Sequence, residues 1–231
     1  MTALVLQARL DSARLPGKTM LPLGSRPLIF RVMEALNYVP AAIRILACTE
    51  DSAGVYAPLA REAGFELLVG PKEDVLERFC MAARQYNFNQ LIRATGDNPF
   101  VFADAAAAIN AEALALAADY AAYSGLPYGA GVESVNAAAL LQAGTEAALP
   151  YEREHVCPYL YGHSQKFLLH RPLAPLRWQA PHLRLTIDNE EDYYRAKQLY
   201  EALDRYKNPG ERFRGTAVLE TYREIFQEPL L

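Results

Sequence analysis

The sequence predicts an α/β protein in which helices cover both faces of a doubly wound, mostly parallel sheet. Four short apolar runs, at residues 3–6, 43–48, 65–69 and 90–94, are bounded by polar residues, as expected for strands that are buried on both faces. Segments with helical character separate these runs. Three strand–helix units in succession make right-handed parallel crossovers the expected connections, and helices on both faces give three layers.

Helical periodicity or capping residues mark the segments between the four strands. Residues 27–36 carry apolar side chains at helical spacing, and a proline is tolerated in the first turn. A second helix is expected to begin with Asp51 or Ser52 as its N-cap and to end at residue 63. Residues 73–86 place their apolar side chains on one face, which predicts a third amphipathic helix.

The second half of the chain alternates less regularly. The alanine-rich stretch 103–118 is predicted to be a helix because alanine has the highest helix propensity. Further strands, which need not be parallel to the first four, are expected at 119–123, 131–135, 166–170 and 182–187. Further helices are expected at 137–147, 151–155, 193–206 and 217–226, with Pro158 interrupting the second of these. We therefore predict a single domain over residues 1–231, with a mixed insertion at about 125–175.

The composition limits the class of function. The chain has 231 residues, of which 52% are hydrophobic, and this is enough to bury a large core. Its net charge of −4 provides no basic surface for nucleic acid or for an anionic membrane. No apolar stretch has the length of a membrane span, and the N-terminus lacks the pattern of a signal peptide, so a cytoplasmic location is expected.

The loop at residues 7–18 follows the first strand and is the first candidate for a ligand site. It carries Arg14, Gly17 and Lys18, and ligands of α/β sheets collect beyond the carboxyl ends of the strands. An arginine suits bidentate binding of phosphate oxygens, a lysine acts as a point charge, and the backbone near a glycine approaches an anion closely. We interpret the loop as a triphosphate site, although the spacing alone is also compatible with a surface turn.

Two aspartates follow predicted strands elsewhere in the chain. Asp97 comes after the strand at 90–94, and Asp188 comes after the one at 182–187. If both strands end at the same edge of the sheet, the two carboxylates face the loop and could hold Mg²⁺, which takes one or two carboxylates and completes its shell with water and phosphate. The structural alternatives are an Asx turn at Asp97 and a helix N-cap at Asp188.

Several motifs together resemble one family, the cytidylyltransferases that activate sugar acids. The resemblance is nearest to the spore coat polysaccharide biosynthesis protein F group, with the CMP-sialate and CMP-KDO synthetases as more distant relatives. The matching segments are Gln-Ala-Arg at 7–9, Arg-Leu-Pro-Gly-Lys at 14–18, Glu-Asp-Val-Leu-Glu-Arg at 73–78, Arg-Ala-Thr-Gly-Asp-Asn-Pro at 93–99, Gly-Val-Glu at 131–133, Arg-Glu-His-Val at 153–156 and Arg-Leu-Thr-Ile-Asp at 184–188.

The resemblance implies a Rossmann-like fold of the nucleotide-diphospho-sugar transferase type and a transfer of CMP from CTP that releases pyrophosphate, for surface polysaccharide synthesis. By analogy with the family, Arg14 and Lys18 would hold the phosphates and Asp97 would join them in catalysis. Asp97 and Asp188 would hold Mg²⁺. The residues implied at the base and ribose are Gln7, Ala8 and Arg9, and Gly17 belongs to the same nucleotide loop.

The acceptor, a sugar acid or a related molecule, would contact Glu133, Arg153 and His155. Family analogy also implies a homodimer formed through the segment at about 125–175. Two alternatives stay open from the sequence. One is a glycosyltransferase of related sheet topology that uses a nucleotide sugar, and the other is a non-catalytic homologue that binds nucleotide.

Overall fold

A seven-stranded sheet forms the centre of the molecule. The computed structural model describes residues 1–12, 14–206 and 208–227. The strands of the sheet are β1 (Thr2–Gln7), β4 (Ile43–Cys48), β5 (Glu66–Val69), β6 (Gln90–Thr95), β7 (Tyr120–Ala121), β8 (Glu133–Asn136) and β9 (Leu169–His170), and a separate hairpin pairs β2 (Pro22–Leu23) with β3 (Arg26–Pro27). The spatial order is β5-β4-β1-β6-β8-β7-β9.

The sheet is parallel except at one strand. β1 pairs in parallel with both β4 and β6, and β4 pairs in parallel with β5. β8 is antiparallel to both of its neighbours, β6 and β7, whereas β7 and β9 are parallel to each other. The segment predicted as an insertion therefore contributes strands to the main sheet, and the prediction of a mostly parallel sheet is confirmed.

Helices cover both faces of the sheet. They are α1 (Leu28–Leu36), α2 (Glu50–Ala63), α3 (Val75–Tyr86), α4 (Ala103–Leu116), α5 (Ala137–Glu146), α6 (Pro150–His155), α7 (Pro158–Gly162), α8 (Glu190–Leu203), α9 (Pro209–Arg212) and α10 (Gly215–Phe226), with short 3₁₀ turns at Lys18–Met20 and Leu176–Trp178. β1 shows the layering directly. Its residues Leu4 and Leu6 join the core under α1, α2, α4, α8 and α10, whereas Ala3 and Val5 join the core under α3, α5 and α7. The three-layer prediction is confirmed. None of the described helices combines the length and the apolar character of a membrane span.

Two local predictions need correction. Residues 182–187 are not a strand, because Leu183 and Leu185 hydrogen-bond to the backbone of Tyr128 in a loop and make only an isolated bridge. Their alternation arises because the apolar side chains are buried beneath that loop. The N-cap of α2 is Thr49 rather than Asp51 or Ser52. As predicted, Pro158 interrupts the helix at 151–155, and it begins a new helix, α7.

A close contact between α3 and α5 provides a test of this packing. A Cβ added at Gly144 would lie 2.5 Å from the Sγ atom of the buried Cys80, whereas one added at Gly162 would meet nothing within 4 Å. Both glycines are helical, Gly144 inside α5 and Gly162 as the last residue of α7, so alanine is compatible with the backbone at either position. We expect Gly144→Ala to be less stable than Gly162→Ala by about 1–3 kcal/mol, the usual cost of overpacking. Urea unfolding measures the difference, and equal midpoints for the two variants would contradict the packing of α3 on α5.

Candidate active site

A cavity of about 840 Å³ opens beyond the carboxyl ends of the parallel strands. Its size is typical of sites for small molecules. The lining comes from the end of β1 and the loop after it, from β6 and the residues after it, from the segment between β7 and β8 with Glu133 of β8, and from helices α3, α6 and α7. Thr186 and Asp188, before α8, complete it. The predicted position of the ligand, at the edge of the sheet where these strands end, is therefore the position of a real cavity.

The loop after β1 bends sharply at Gly17. This residue has φ 66°, in the left-handed region that favours glycine, and it begins the 3₁₀ turn that contains Lys18. The Gly17 N–H donates to the carbonyl oxygen of Leu10 at 3.2 Å. Gly17 therefore shapes the loop, and its backbone N–H is already hydrogen-bonded within the loop.

The Lys18 side chain contacts both Asp97 and Asp188, which are distant from each other in the sequence. Its Nζ lies 2.9 Å from Asp97 Oδ2 and 3.0 Å from Asp188 Oδ1, and it also donates to the carbonyl oxygen of Ile187 at 2.7 Å. Arg14 lies 2.8 Å from the same oxygen of Asp188. The structure thus brings together the four residues Arg14, Lys18, Asp97 and Asp188, which the sequence had suggested would meet. A backbone hydrogen bond of 2.9 Å from Ile187 to Asp97 holds the two segments side by side.

The charge of Asp188 is stabilised by its surroundings. The side chain is only 8% exposed, and burial raises its pKa. The hydrogen bond and the charge of Lys18, followed by the charges of Arg14 and Arg184, outweigh burial, so that the pKa lies below its ordinary value. Asp188 is therefore ionised at neutral pH and can face a cation.

The two carboxylates fit a hard divalent cation. One oxygen from each of Asp97 and Asp188 lies within hydrogen-bond distance of the Lys18 ammonium, so both oxygens face the same point. Among the described residues no group of three or more His, Cys, Asp or Glu side chains could hold a metal ion. A pair of carboxylates is the ligand set from which Mg²⁺ commonly completes its shell with water and phosphate oxygens.

The residues predicted at the nucleotide, Gln7, Ala8 and Arg9, all line the cavity. The Gln7 Oε1 atom accepts a hydrogen bond from Arg93 at 3.1 Å, and the Ala8 N–H donates to the carbonyl oxygen of Ala47 at 3.1 Å. Arg9 is 44% exposed at the mouth of the cavity. The Gln7 side chain therefore belongs to the floor of the cavity, and Arg9 has the freedom to reach a ligand.

Arg78 is a candidate that the sequence analysis missed. It lines the cavity from α3 and is only 2% exposed, yet its Nε and Nη1 atoms have no hydrogen-bond partner within the described residues. Burial lowers the pKa of Arg78. A buried cation with unpaired donors is costly, and because Arg78 lines the cavity it is a candidate for binding a ligand there. The signal in the sequence was its position between Val75 and Ala82, at helical spacing on a buried face.

The three predicted acceptor residues lie in different places. Glu133 and His155 line the cavity. Arg153 does not. Its Nε donates to Asp74 at 3.0 Å and its Nη1 donates to the carbonyl oxygen of Gly144 at 2.7 Å, so that it ties α6 to the N-cap residue of α3. The structure thus brings two of the three residues to the cavity and leaves the guanidinium of Arg153 bonded elsewhere.

Comparisons with known proteins point to one family. The family profile described as Cytidylyltransferase matches residues 3–218. The spore coat polysaccharide biosynthesis protein SpsF of Bacillus subtilis (strain 168) is 33% identical over 204 residues, which cover 85% of each chain. Among solved structures, a cytidylyltransferase from Leptospira borgpetersenii superposes with a TM-score of 0.87 at 25% identity, covering 96% of this chain and 94% of that one.

A more distant structure shares the fold. The CMP:2-keto-3-deoxy-manno-octonic acid synthetase in complex with CTP superposes with a TM-score of 0.66 at 15% identity, covering 87% of this chain and 98% of that one.

Proposed function

This chain belongs to the cytidylyltransferase family, and we propose that it transfers CMP from CTP to a sugar acid or a related acceptor in surface polysaccharide synthesis in the cytoplasm. The observation that supports this most directly is the cluster of Arg14, Lys18, Asp97 and Asp188 at the edge of the cavity. Two cations and two carboxylates at one point suit a triphosphate that is bound together with a metal ion.

The proposed reaction is an in-line displacement at phosphorus. An oxygen of the acceptor attacks the α-phosphorus, and the bond from that phosphorus to the bridging oxygen of the β-phosphate breaks, so that pyrophosphate leaves. The protein contributes mainly by aligning the reactants and neutralising negative charge. Lys18 and Arg14 would bind the phosphate oxygens, and each would exchange an aspartate partner for a phosphate in doing so.

Asp97 and Asp188 would hold the divalent metal ion that cytidylyltransferases generally use, and we propose Mg²⁺ for this chain. A bound ion would neutralise phosphate charge and orient the leaving group. The ionised state of Asp188 supports this role, because the carboxylate needs no deprotonation before it meets a cation.

The nucleoside would lie against Gln7, Ala8 and Arg9, with Arg78 beneath it. Cytosine presents a carbonyl oxygen and a ring nitrogen, both hydrogen-bond acceptors, to a guanidinium that has only donors. The Nε and Nη1 atoms of Arg78 are buried and lack a hydrogen-bond partner in the described structure, so a bound nucleotide would meet the part of the guanidinium that lines the cavity. We propose that this contact contributes to the choice of base.

The acceptor would occupy the part of the cavity lined by Glu133 and His155. The aromatic side chains of Tyr123, Tyr151 and Tyr161 line the same part and suit the apolar faces of a sugar. Arg153 would act on this side indirectly, by holding α6 against Asp74.

A nucleotide panel tests the proposal. Ligands that bind the native state raise the melting temperature by mass action. We expect CTP with Mg²⁺ to raise it more than UTP, GTP or ATP, and we expect EDTA to remove most of the difference. Pyrophosphate release is then measured with CTP and either 2-keto-3-deoxy-manno-octonate or N-acetylneuraminate. Stabilisation by none of the four nucleotides would refute the proposed function, whereas release of a nucleoside diphosphate from a nucleotide sugar would identify a glycosyltransferase instead.

We also propose a homodimer formed through residues 125–175. This segment exposes the apolar side chains of Leu149, Leu168 and Leu173, each at least 55% accessible, and Leu176, directly after the segment, is 70% accessible. Leucines that become buried at an interface each contribute about 1.5–3 kcal/mol.

Light scattering at micromolar concentration is expected to give twice the 25.7 kDa mass of the chain. The double variant Leu173→Asp/Leu176→Asp should give the mass of a single chain. Val55→Asp, on the exposed surface of α2, is the matched control and should leave the dimer intact. A wild-type protein with the mass of one chain would rule out this dimer.

A further inference from the structure

Four side chains form a hydrogen-bonded row across the floor of the cavity. Arg93 on β6 donates from Nε to Gln7 Oε1 on β1 at 3.1 Å and from Nη1 to Glu133 on β8. The hydroxyl of Tyr120 on β7 donates to the other oxygen of Glu133 at 2.8 Å. Since β1, β6, β8 and β7 are consecutive neighbours in the sheet, each hydrogen bond crosses one gap between strands.

This row fixes Arg93 but leaves one of its nitrogen atoms free. The side chain is 13% exposed and lines the cavity, and Nη2 makes no hydrogen bond within the described part of the chain. A buried guanidinium normally has partners for its donors. Because Nε and Nη1 are held from two sides, the direction of Nη2 is set before any ligand binds. Such preorganisation is typical of a binding residue.

Backbone strain lies directly behind the same row. Val156 has φ 72°, which is unfavourable for a β-branched residue, and it joins His155 in the cavity wall to the buried Cys157. Cys157 lies close to Glu133, since burial and then the charge of Glu133 raise the pKa of its thiol. Strain of this kind costs about 1–3 kcal/mol and is concentrated at functional sites. Strain at Val156, next to His155, therefore supports a functional role for this part of the cavity wall.

The chemistry of the Arg93–Glu133 pair indicates the kind of group that it binds. The pair has no net charge, and it offers an N–H donor from Arg93 beside the lone pairs of Glu133. A hydroxyl group is both a donor and an acceptor, so it matches both partners at once. A carboxylate would match only Arg93 and would be repelled by Glu133.

We propose that Arg93 and Glu133 together recognise a hydroxyl group of the acceptor, and that Gln7 and Tyr120 are positioning residues that hold this pair. This inference rests on the proposed function, because it assumes that the acceptor occupies this part of the cavity. Arg93 becomes a specificity-determining residue. A ligand without the hydroxyl would leave the Nη2 atom of Arg93 and the spare lone pairs of Glu133 desolvated and without a partner, and this strengthens discrimination between acceptors.

The test uses two probes that share a 2-keto acid group but differ in hydroxyl groups, 2-keto-3-deoxy-manno-octonate and pyruvate. Binding of each probe is measured by ligand-observed NMR in the presence of CMP and Mg²⁺. The variant is Arg93→Met/Glu133→Gln, in which no buried charge is orphaned and the glutamine can still accept from Tyr120. We expect this variant to bind the octonate about 10- to 100-fold more weakly, as expected for lost hydrogen bonds to charged groups. The loss of CTP affinity should be clearly smaller, because Gln7 keeps its place on β1 and loses only its hydrogen bond from Arg93.

The matched control is Arg84→Met/Glu77→Gln, which removes an ion pair of the same kind from the exposed surface of α3. It should leave binding of both probes unchanged. A merely structural role for the row would predict parallel losses of melting temperature and of affinity for CTP. The single variant Arg93→Lys tests this further, because lysine keeps the positive charge but lacks the planar, forked set of donors of the guanidinium.

Three outcomes would overturn the inference: unchanged binding of the octonate by the double variant, binding of pyruvate by the wild type as tightly as the octonate, or no binding of the octonate by the wild type. CTP is titrated separately. Failure to bind CTP would count against the proposed function, whereas the probe results would still decide the role of Arg93.

Discussion

The variant Asp97→Asn is expected to fold normally and to release pyrophosphate at least about 100-fold more slowly than the wild type, as when a key electrostatic group is removed from a site. Asparagine has the size of aspartate and can still accept a hydrogen bond from Lys18, whose Nζ lies 2.9 Å from Asp97 Oδ2. What is lost is the negative charge. Both the metal ion and the ammonium that the charge holds would bind more weakly.

The matched control for this variant is Asp204→Asn. Asp204 is exposed at the C-terminal end of α8, where it pairs with Arg212 outside the cavity. Its loss of charge should change pyrophosphate release by less than about twofold, because surface ion pairs contribute little. Near-normal release by Asp97→Asn, in protein with an unchanged melting temperature, would remove Asp97 from the active site.

The second large effect is expected for Arg78→Met, which should weaken the binding of CTP but raise the stability of the free protein. Affinity for CTP should fall about 10- to 100-fold, the range for hydrogen bonds that involve a charged group. The melting temperature of the free protein should rise, because an apolar side chain of similar length replaces a buried guanidinium whose Nε and Nη1 atoms have no partner in the described structure. Calorimetric titration with CTP and thermal unfolding measure the two effects.

Arg84→Met is the appropriate comparison for Arg78→Met, because Arg84 lies on the same helix with its side chain 54% exposed. In Arg84→Met, neither the affinity for CTP nor the melting temperature of the free protein should change appreciably. If Arg78→Met binds CTP as tightly as the wild type, Arg78 has a role in packing alone. A fall in stability would mean that the stem of Arg78, which packs against Gly70, contributes more than its unpaired charge costs.

Much of the architecture and part of the site could be predicted from local patterns. The strands at 3–6 and 43–48 were evident because apolar runs bounded by polar residues are characteristic of buried parallel strands. The meeting of Lys18 with Asp97 followed from the same reasoning, since parallel strands end at a common edge. At these positions the hydrophobic pattern of the sequence and the topology of the sheet predict the same arrangement.

Other features depend on tertiary contacts that no local pattern records. The alternation at 182–187 predicted a strand, but these residues pair with a loop, and burial beneath that loop produces the same period of two. Arg93 and Arg78 belong to recognised motifs, yet their importance depends on which donors stay unpaired after folding. Arg153 shows the converse, because its guanidinium reaches Asp74, which is distant in the sequence.

The row of side chains across the cavity floor has a consequence for engineering chimaeras. Gln7 and Arg93 come from the parallel half of the sheet, whereas Tyr120 and Glu133 come from the later segment that contains the antiparallel strand. A transplant of that later segment from a relative would place the relative's side chains, in the positions of Tyr120 and Glu133, beside the native Arg93. If the row recognises the acceptor as proposed, exchange of acceptor preference between family members would require matched residues from both parts of the chain. A graft of the later segment alone should give a folded hybrid with a mismatched floor.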